Sequence, residues 1–406
     1  MDPLSNPYTP NAGAQPPIVV GRNDQLDSFN LLLARLLRGR TEQSMIITGL
    51  RGVGKTVLLG QFRNKALSAN WVTVEMEASK HDEDSFRQDM YFKMRSALFE
   101  LSPKARWGDR MKRAAGVLKS FSLTFDPSGA ISAGLDVEAA EGVADSNVLG
   151  LDLTELMVVM GEAARDCGKG VVFLIDEIQF LQSTQLEALI TAIHKTVQRS
   201  LPVTLVGAGL PQIAELAGDA KSYAERLFKF PQIGILNSDD SRAALSSPAQ
   251  DEGVTFTGEA LDYADQITGG YPYFIQELGS AVWSIARESP ITKADVEEAE
   301  PAYVDKLDSS FFRVRLDRAT PLQSAYLRAM GGLGSEPQKA SDVAMAMGRT
   351  SENLAPTRAE LISMGLLYTP EHGYAAFTVP HFDKFIVRAM PKLEVPEKRT
   401  SGRQSR

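Results

Sequence analysis

Cysteine occurs once in the 406 residues, at Cys167, so no intramolecular disulfide can staple the fold, and a reducing, cytoplasmic setting is expected. Histidine is nearly as scarce, and the four present show no metal-site spacing. No apolar run approaches the roughly 18 residues that span a bilayer, so no membrane span is expected. The opening stretch MDPLSNPYTPNAGAQPP has neither a basic segment nor an apolar core. Residues 1–14 are therefore expected to form a disordered tail, not a signal peptide. An excess of positive charge is missing too: the net charge of -8 argues against a general polyanion binder. Lys398, Arg399, Arg403 and Arg406 give residues 396–406 a short basic tail, a feature more often solvated than binding. What remains is 43% hydrophobic and 23% charged, the proportions of a soluble globular protein. At about 100 to 200 residues per domain the chain has room for two or three. It carries no internal repeat of about 20 to 50 residues.

Residues 49–56 read GLRGVGKT, between the apolar run Met45-Ile46-Ile47 and the helix-forming Val57-Leu58-Leu59. This is the phosphate-binding pattern G-x-x-x-x-G-K-[ST] in its strand-to-helix setting. Gly49, Gly52 and Gly54 permit a backbone whose N–H groups converge on one concavity, with Leu50, Arg51 and Val53 completing the loop. Lys55 can reach the β- and γ-phosphates, and Thr56 can offer its hydroxyl to Mg²⁺. The alternative is a Gly-rich turn that binds nothing, but with Lys and Thr in register a nucleoside triphosphate is the first ligand to consider. A second apolar run, Val171 to Ile175, delivers Asp176 and Glu177 at its C-terminal end. In a parallel sheet that edge carries the ligand. Asp176 can hold Mg²⁺ through water, and Glu177 can accept a proton from the water that attacks the γ-phosphate. Alone, the run also reads as an exposed acidic turn.

Residues 15–235 alternate strand-like runs (44–48, 71–77, 171–176 and 203–206) with longer helical patterns, which predicts a parallel sheet covered by helices. Residues 84–101 look helical. Within an insertion at about 104–150, KSFSLTF and AISAGLDV alternate across Asp126-Pro127-Ser128-Gly129, which suggests a hairpin, either a surface elaboration or a partner-contacting element. Residues 236–318 give helices at 259–267, 273–288 and 293–306. Residues 319–395 give helices at 322–329, 340–347 and 351–364, the last regular from about Ala355 because of Pro356. Strand-like Leu366-Leu367-Tyr368 and Ala375 to Val379 then flank a turn, the order of a winged helix-turn-helix.

GLRGVGKT, VVFLIDE, the upstream VVGRNDQL and the downstream GGYPYF, in this order, resemble the AAA+/STAND group of P-loop ATPases related to origin-recognition ATPases. The resemblance covers about residues 18–390. It implies an α/β P-loop NTPase core, a helical lid at 236–318 and a winged helix at 319–395, with ATP and Mg²⁺ as cofactors. It also implies that Val20, Gly21 and Arg22 lie near the adenine, and that Pro272 in Gly269-Gly270-Tyr271-Pro272 approaches the nucleotide from the lid. Val57 follows the loop as the first apolar position of its helix. Arg226 stands where related ATPases present an arginine to a neighbouring copy's γ-phosphate, beside the alternative of a plain surface arginine. Arg51 is similarly open to either reading. The sequence departs from the family at Asn23 and Gln25, where acidic residues are common. It departs again at Gly207-Ala208-Gly209, where a polar sensor is common; only Thr204 and Gln212 are polar nearby, which suggests slow hydrolysis.

The segment 351–364 is the candidate recognition helix for double-stranded DNA, through Arg349, Thr350, Asn353, Thr357 and Arg358. Residues 321–395 hold seven Lys/Arg against seven Asp/Glu, not the basic face that DNA binding usually needs. The leading expectation is an ATP-hydrolysing conformational switch. A DNA-binding regulator with little hydrolysis, and a homo-oligomeric scaffold that recruits an effector protein through residues 104–150, are the alternatives.

Overall fold

The computed structural model describes residues 1–11, 13–79, 82–132 and 134–397. Lys398, Arg399, Arg403 and Arg406 lie outside the described residues. The chain divides into two compact units. One comprises 11–49 and 53–234; the other comprises 1–10, 50–52 and 235–406.

The first unit is built on a five-stranded sheet in the order β2-β3-β4-β1-β5, with every pairing parallel. Its strands are β1 (Ser44–Thr48), β2 (Val72–Glu77), β3 (Val171–Asp176), β4 (Val203–Gly209) and β5 (Phe228–Lys229). β1, β3 and β4 are nearly continuous apolar runs because helices cover both faces of a parallel sheet. β1 sits between β4 and β5, and β4 separates it from β3. Helix α1 (Asn23–Leu37) packs on α2 (Lys55–Ser68) through Phe29 and Phe62, whose rings lie 4.5 Å apart. Helices α3 (Glu83–Leu101), α4 (Asp109–Leu123), α5 (Leu149–Asp166) and α6 (Ser183–Gln198) pack in succession, and α7 (Ile213–Ala220) and α8 (Ala224–Leu227) follow.

Among its described residues the insertion forms no hairpin; Ala133, within AISAGLDV, lies outside them. KSFSL is the end of α4, whose Ala114, Val117, Leu118 and Phe121 recur at helical spacing and are fully buried in the same core as Leu153, Leu156 and Phe173. The alternation that suggested strands is incidental, because the apolar positions fit a period of 3.6 as well as one of 2. Nor is the segment a surface elaboration: its residues fill the main core of this unit. Arg87 of α3, only 3% exposed at its side chain, pairs with the fully buried Asp152 of α5 at 2.9 Å. Asp152 in turn accepts the N–H and hydroxyl of Ser146.

In the second unit come α9 (Ser238–Asp251), α10 (Gly258–Thr268), α11 (Pro272–Ile285), α12 (Lys293–Lys306) and the short α13 (Arg313–Leu316). Then follow α14 (Pro321–Leu333), β6 (Gln338–Lys339), α15 (Ala340–Ala346), α16 (Ser351–Ser363), β7 (Leu367–Tyr368), β8 (Tyr374–Phe377) and α17 (Phe382–Ala389). β6, β8 and β7 form a small antiparallel sheet. Helix α16 starts at Ser351, four residues before the position inferred from Pro356, because the Thr350 side chain caps it by accepting the Asn353 N–H. Residues 1–10, expected as a disordered tail, pack within this unit instead. Tyr8 is 4% exposed and donates its hydroxyl to Leu245 O at 2.5 Å, and Trp283 donates to Asp2 O at 2.9 Å. Aromatic anchoring at both ends of the segment outweighs its Pro/Asn-rich composition. Among the described residues no helix is long and apolar enough to cross a membrane.

Candidate active site

The phosphate loop leaves the C-terminal end of β1. Gly49 donates its N–H to Gly209 O at 3.2 Å, and a Cβ on Gly49 would lie 2.5 Å from Ile233 O, so this approach demands glycine. Gly54 has φ 93°, in the left-handed region, and passes directly into α2. Lys55, 6% exposed, donates from Nζ to Gly49 O at 3.0 Å, across the loop that it would share with a phosphate. The Val57 carbonyl accepts from Gln15 at 3.3 Å.

β3 delivers the two carboxylates. Thr56 Oγ1 donates to Asp176 Oδ2 at 2.6 Å, and the Glu177 N–H donates to Asp176 Oδ1 at 2.8 Å. Burial, the largest influence, pushes the Asp176 carboxyl above its usual range, while the hydrogen bonds from Thr56 and Glu177 oppose it. A hydroxyl and a half-buried carboxylate side by side are hard oxygen donors, and a divalent cation there would offset the cost of the partly buried charge. The donor set fits Mg²⁺, with Thr56 and Asp176 as the residues to hold it. Glu177 adopts φ 49° and ψ 36°, a conformation that costs a non-glycine residue about 1 kcal/mol and recurs at functional sites.

Arg22 takes a place that its motif did not foretell. It is 8% exposed and donates to the carbonyls of Gly21 (3.0 Å), Val53 (3.2 Å) and Gly234 (2.7 Å). It therefore supports the loop through Val53, while Val20 and Gly21 lead into it just before α1. Thr204 is taken up by a 2.9 Å contact with Ser44 and offers nothing to the end of β4. Sequence reasoning missed Gln179. Its amide donates to the Glu177 carboxylate, and its Oε1 accepts the Leu210 N–H at 3.0 Å. Arg226 is exposed on α8, and among the described residues no hydrogen bond or ion pair ties its side chain to Lys55, Asp176 or Glu177.

Leu50, Arg51 and Gly52 group with the second unit. There the Arg51 N–H donates to Thr378 O at 3.0 Å and its Nε to Gly365 O at 3.2 Å, while Gly52 O accepts the Tyr273 N–H at 3.3 Å. Pro272 begins α11, where a missing N–H costs nothing. The Arg315 guanidinium lies 4.0 Å over the Phe311 ring, and burial first, then the Arg51 charge, brings it down to about 10. Of the five residues considered for DNA, Thr357 is buried, Thr350 and Asn353 hydrogen-bond each other, and Arg349 donates to Pro396 O.

Comparisons with known proteins bear on the fold. Residues 18–206 match the family described as AAA ATPase domain, and residues 309–386 match a domain of unknown function, DUF8462. No curated protein matches the chain. Among solved structures, the Walker-type ATPase PaBY2304 of Pyrococcus abyssi superposes with a TM-score of 0.57 at 16% identity, covering 91% of this chain and 96% of that one. The Thermotoga maritima RuvB Holliday junction branch migration motor gives 0.47 at 15% identity, covering 93% and 96%. The Aeropyrum pernix Orc1 protein in complex with DNA gives 0.44 at 15% identity, covering 92% and 94%. Residues 18–206, which contain the phosphate loop, thus match the AAA ATPase domain family, and the five-stranded parallel sheet that carries the loop has the P-loop ATPase fold.

Proposed function

We propose that the chain binds Mg-ATP and hydrolyses it to ADP and phosphate, and that the nucleotide state sets its conformation. The observation that carries the first half is the 2.6 Å hydrogen bond from Thr56 to Asp176 beside the buried Lys55. It joins the phosphate loop to the carboxylate strand and brings two oxygen donors together next to Lys55. In this reading the loop N–H groups and Lys55 hold the phosphates and neutralise charge that builds up at the bond to be broken. Thr56 and Asp176 hold the metal, which supplies charge neutralisation when bound. Glu177 orients a water molecule for in-line attack and takes up its proton.

Support for the switch comes from the apex of the same loop. Arg51 gives its backbone N–H to Thr378 and its side chain to Gly365, so C-terminal backbone holds residues that belong to the phosphate-loop pattern. A nucleotide that reshapes Leu50–Gly52 acts on those bonds directly. The AAA ATPase domain match at residues 18–206 and the likeness of fold support the ATPase class. They say nothing about DNA, and the side chains considered for DNA are largely engaged elsewhere.

Two measurements test this reading. Glu177→Gln is expected to retain ATP and to turn over at least about a hundred-fold more slowly, the usual span for a lost general base. Unchanged turnover would remove Glu177 from its role. Hydrogen exchange at the Arg51 amide should rise when a non-hydrolysable ATP analogue binds; identical exchange in the free and bound protein would contradict the switch.

A further inference from the structure

The last turn of β4 is made of Gly207, Ala208 and Gly209, where related ATPases often carry a polar group, and the structure supplies a reason for such small residues. A Cβ on Gly207 would lie 2.8 Å from Ile178 Cδ1, and one on Gly209 would lie 2.7 Å from Gln179 Oε1. The strand end is kept bare because the turn that follows β3 lays two side chains across it.

One of those side chains is polar on both sides. Gln179 Oε1 accepts the Leu210 N–H at 3.0 Å, and Gln179 Nε2 donates to the Glu177 carboxylate. The two partners fix the amide's orientation without further assumption, since an N–H requires the oxygen and a carboxylate requires the nitrogen. Glu177 itself sits at φ 49°, a backbone conformation that persists only where the surroundings hold it. The amide thus ties the end of β4 to the carboxylate that follows β3.

We propose that Gln179 is the positioning residue of this ATPase, holding the Glu177 carboxylate at the end of β4 in the place from which it orders the attacking water. The inference rests on the role given to Glu177 above. It also assigns the polar function that seemed to be absent: the group comes from the turn after β3, with Gly209 as the space it needs. Gln179 does not touch the reacting atoms, so it acts only through Glu177.

Gln179→Glu separates this role from a structural one. A carboxylate at 179 can still accept the Leu210 N–H but cannot donate to Glu177. The single-turnover rate of ATP hydrolysis is expected to fall at least about ten-fold, the scale of a misplaced catalytic group, with analogue affinity and thermal midpoint unchanged. In a Glu177→Gln background the same substitution should have no further effect. Gln179→Asn, one methylene too short to reach both partners, should behave like Gln179→Glu and serves if that variant fails to fold. A wild-type rate in a folded 179 variant, with Glu177→Gln inactive, overturns the role of Gln179 alone. Unchanged hydrolysis in Glu177→Gln overturns the reading of Glu177 and this inference with it.

Discussion

Thr56 and Asp176, 120 positions apart in the chain, meet through a 2.6 Å hydrogen bond at the C-terminal edge of the sheet. One follows the phosphate loop and the other ends β3, so their oxygens stand close enough for a single cation to reach both. Thr56→Ala and Asp176→Asn should each weaken the response of nucleotide binding to Mg²⁺. In the wild type, removing Mg²⁺ with a chelator is expected to lower affinity for an ATP analogue about ten-fold or more, and in the variants by much less. Calorimetric titration with and without chelator decides it; equal Mg²⁺ dependence in all three proteins would remove these residues from the metal site.

Arg22 makes a prediction about stability. Its guanidinium serves three backbone carbonyls, two of them in segments far from it in sequence. Arg22→Ala leaves those carbonyls without their charged donor and should cost about 3 kcal/mol in urea unfolding. A loss of nucleotide affinity with full stability would instead favour direct contact between Arg22 and the nucleotide.

The buried pair Arg87–Asp152 joins α3 to α5 and makes a second prediction about stability. Removing one partner of a buried pair strands the other charge, so Asp152→Ala is expected to destabilise by about 4 kcal/mol and Asp152→Asn by less. A change near zero in chemical denaturation would contradict the buried pairing.

His381 predicts a pH dependence. Its ring stacks on Phe274 at 5.6 Å, and burial, followed by the Lys384 charge, holds its pKa below the usual value, against the pull of Asp383. A lowered folded-state pKa means that the fold resists protonation. Its contribution is complete above the unfolded pKa of about 6.5 and is lost as pH falls through the range below. The urea midpoint should therefore drop between about pH 7 and pH 5 more in the wild type than in His381→Asn, a residue that tolerates the left-handed backbone at this position. Parallel pH curves for the two proteins would contradict the assignment.

The loop 49–56 and the pair Asp176-Glu177 were legible in the sequence because phosphate and metal chemistry permit few residue types at few spacings. The parallel sheet was legible for a similar reason: runs such as Val171 to Ile175 are too apolar to be anything but buried. Residues 119–125 were misread because their apolar positions satisfy two periods at once, and only the core around Phe173 chooses between them. The N-terminal segment misled through composition, since Tyr8 finds its pocket at Gly279, where any Cβ would lie 2.5 Å from its ring. Gln179 was hidden because one of its partners stands 31 residues away. Its imprint was nevertheless present, as the run of small residues at 207–209 that read as a missing sensor.

Binding of a labelled, non-hydrolysable ATP analogue with Mg²⁺ to the wild type and to Lys55→Ala tests the central claim most directly. Lys55 is buried within the loop and 3.0 Å from Gly49 O, so its loss removes the cation that the phosphates would meet. Saturable binding by the wild type, weakened about a hundred-fold or more in a folded Lys55→Ala, is the predicted result. Equal binding by the two proteins, or none by the wild type, would contradict it.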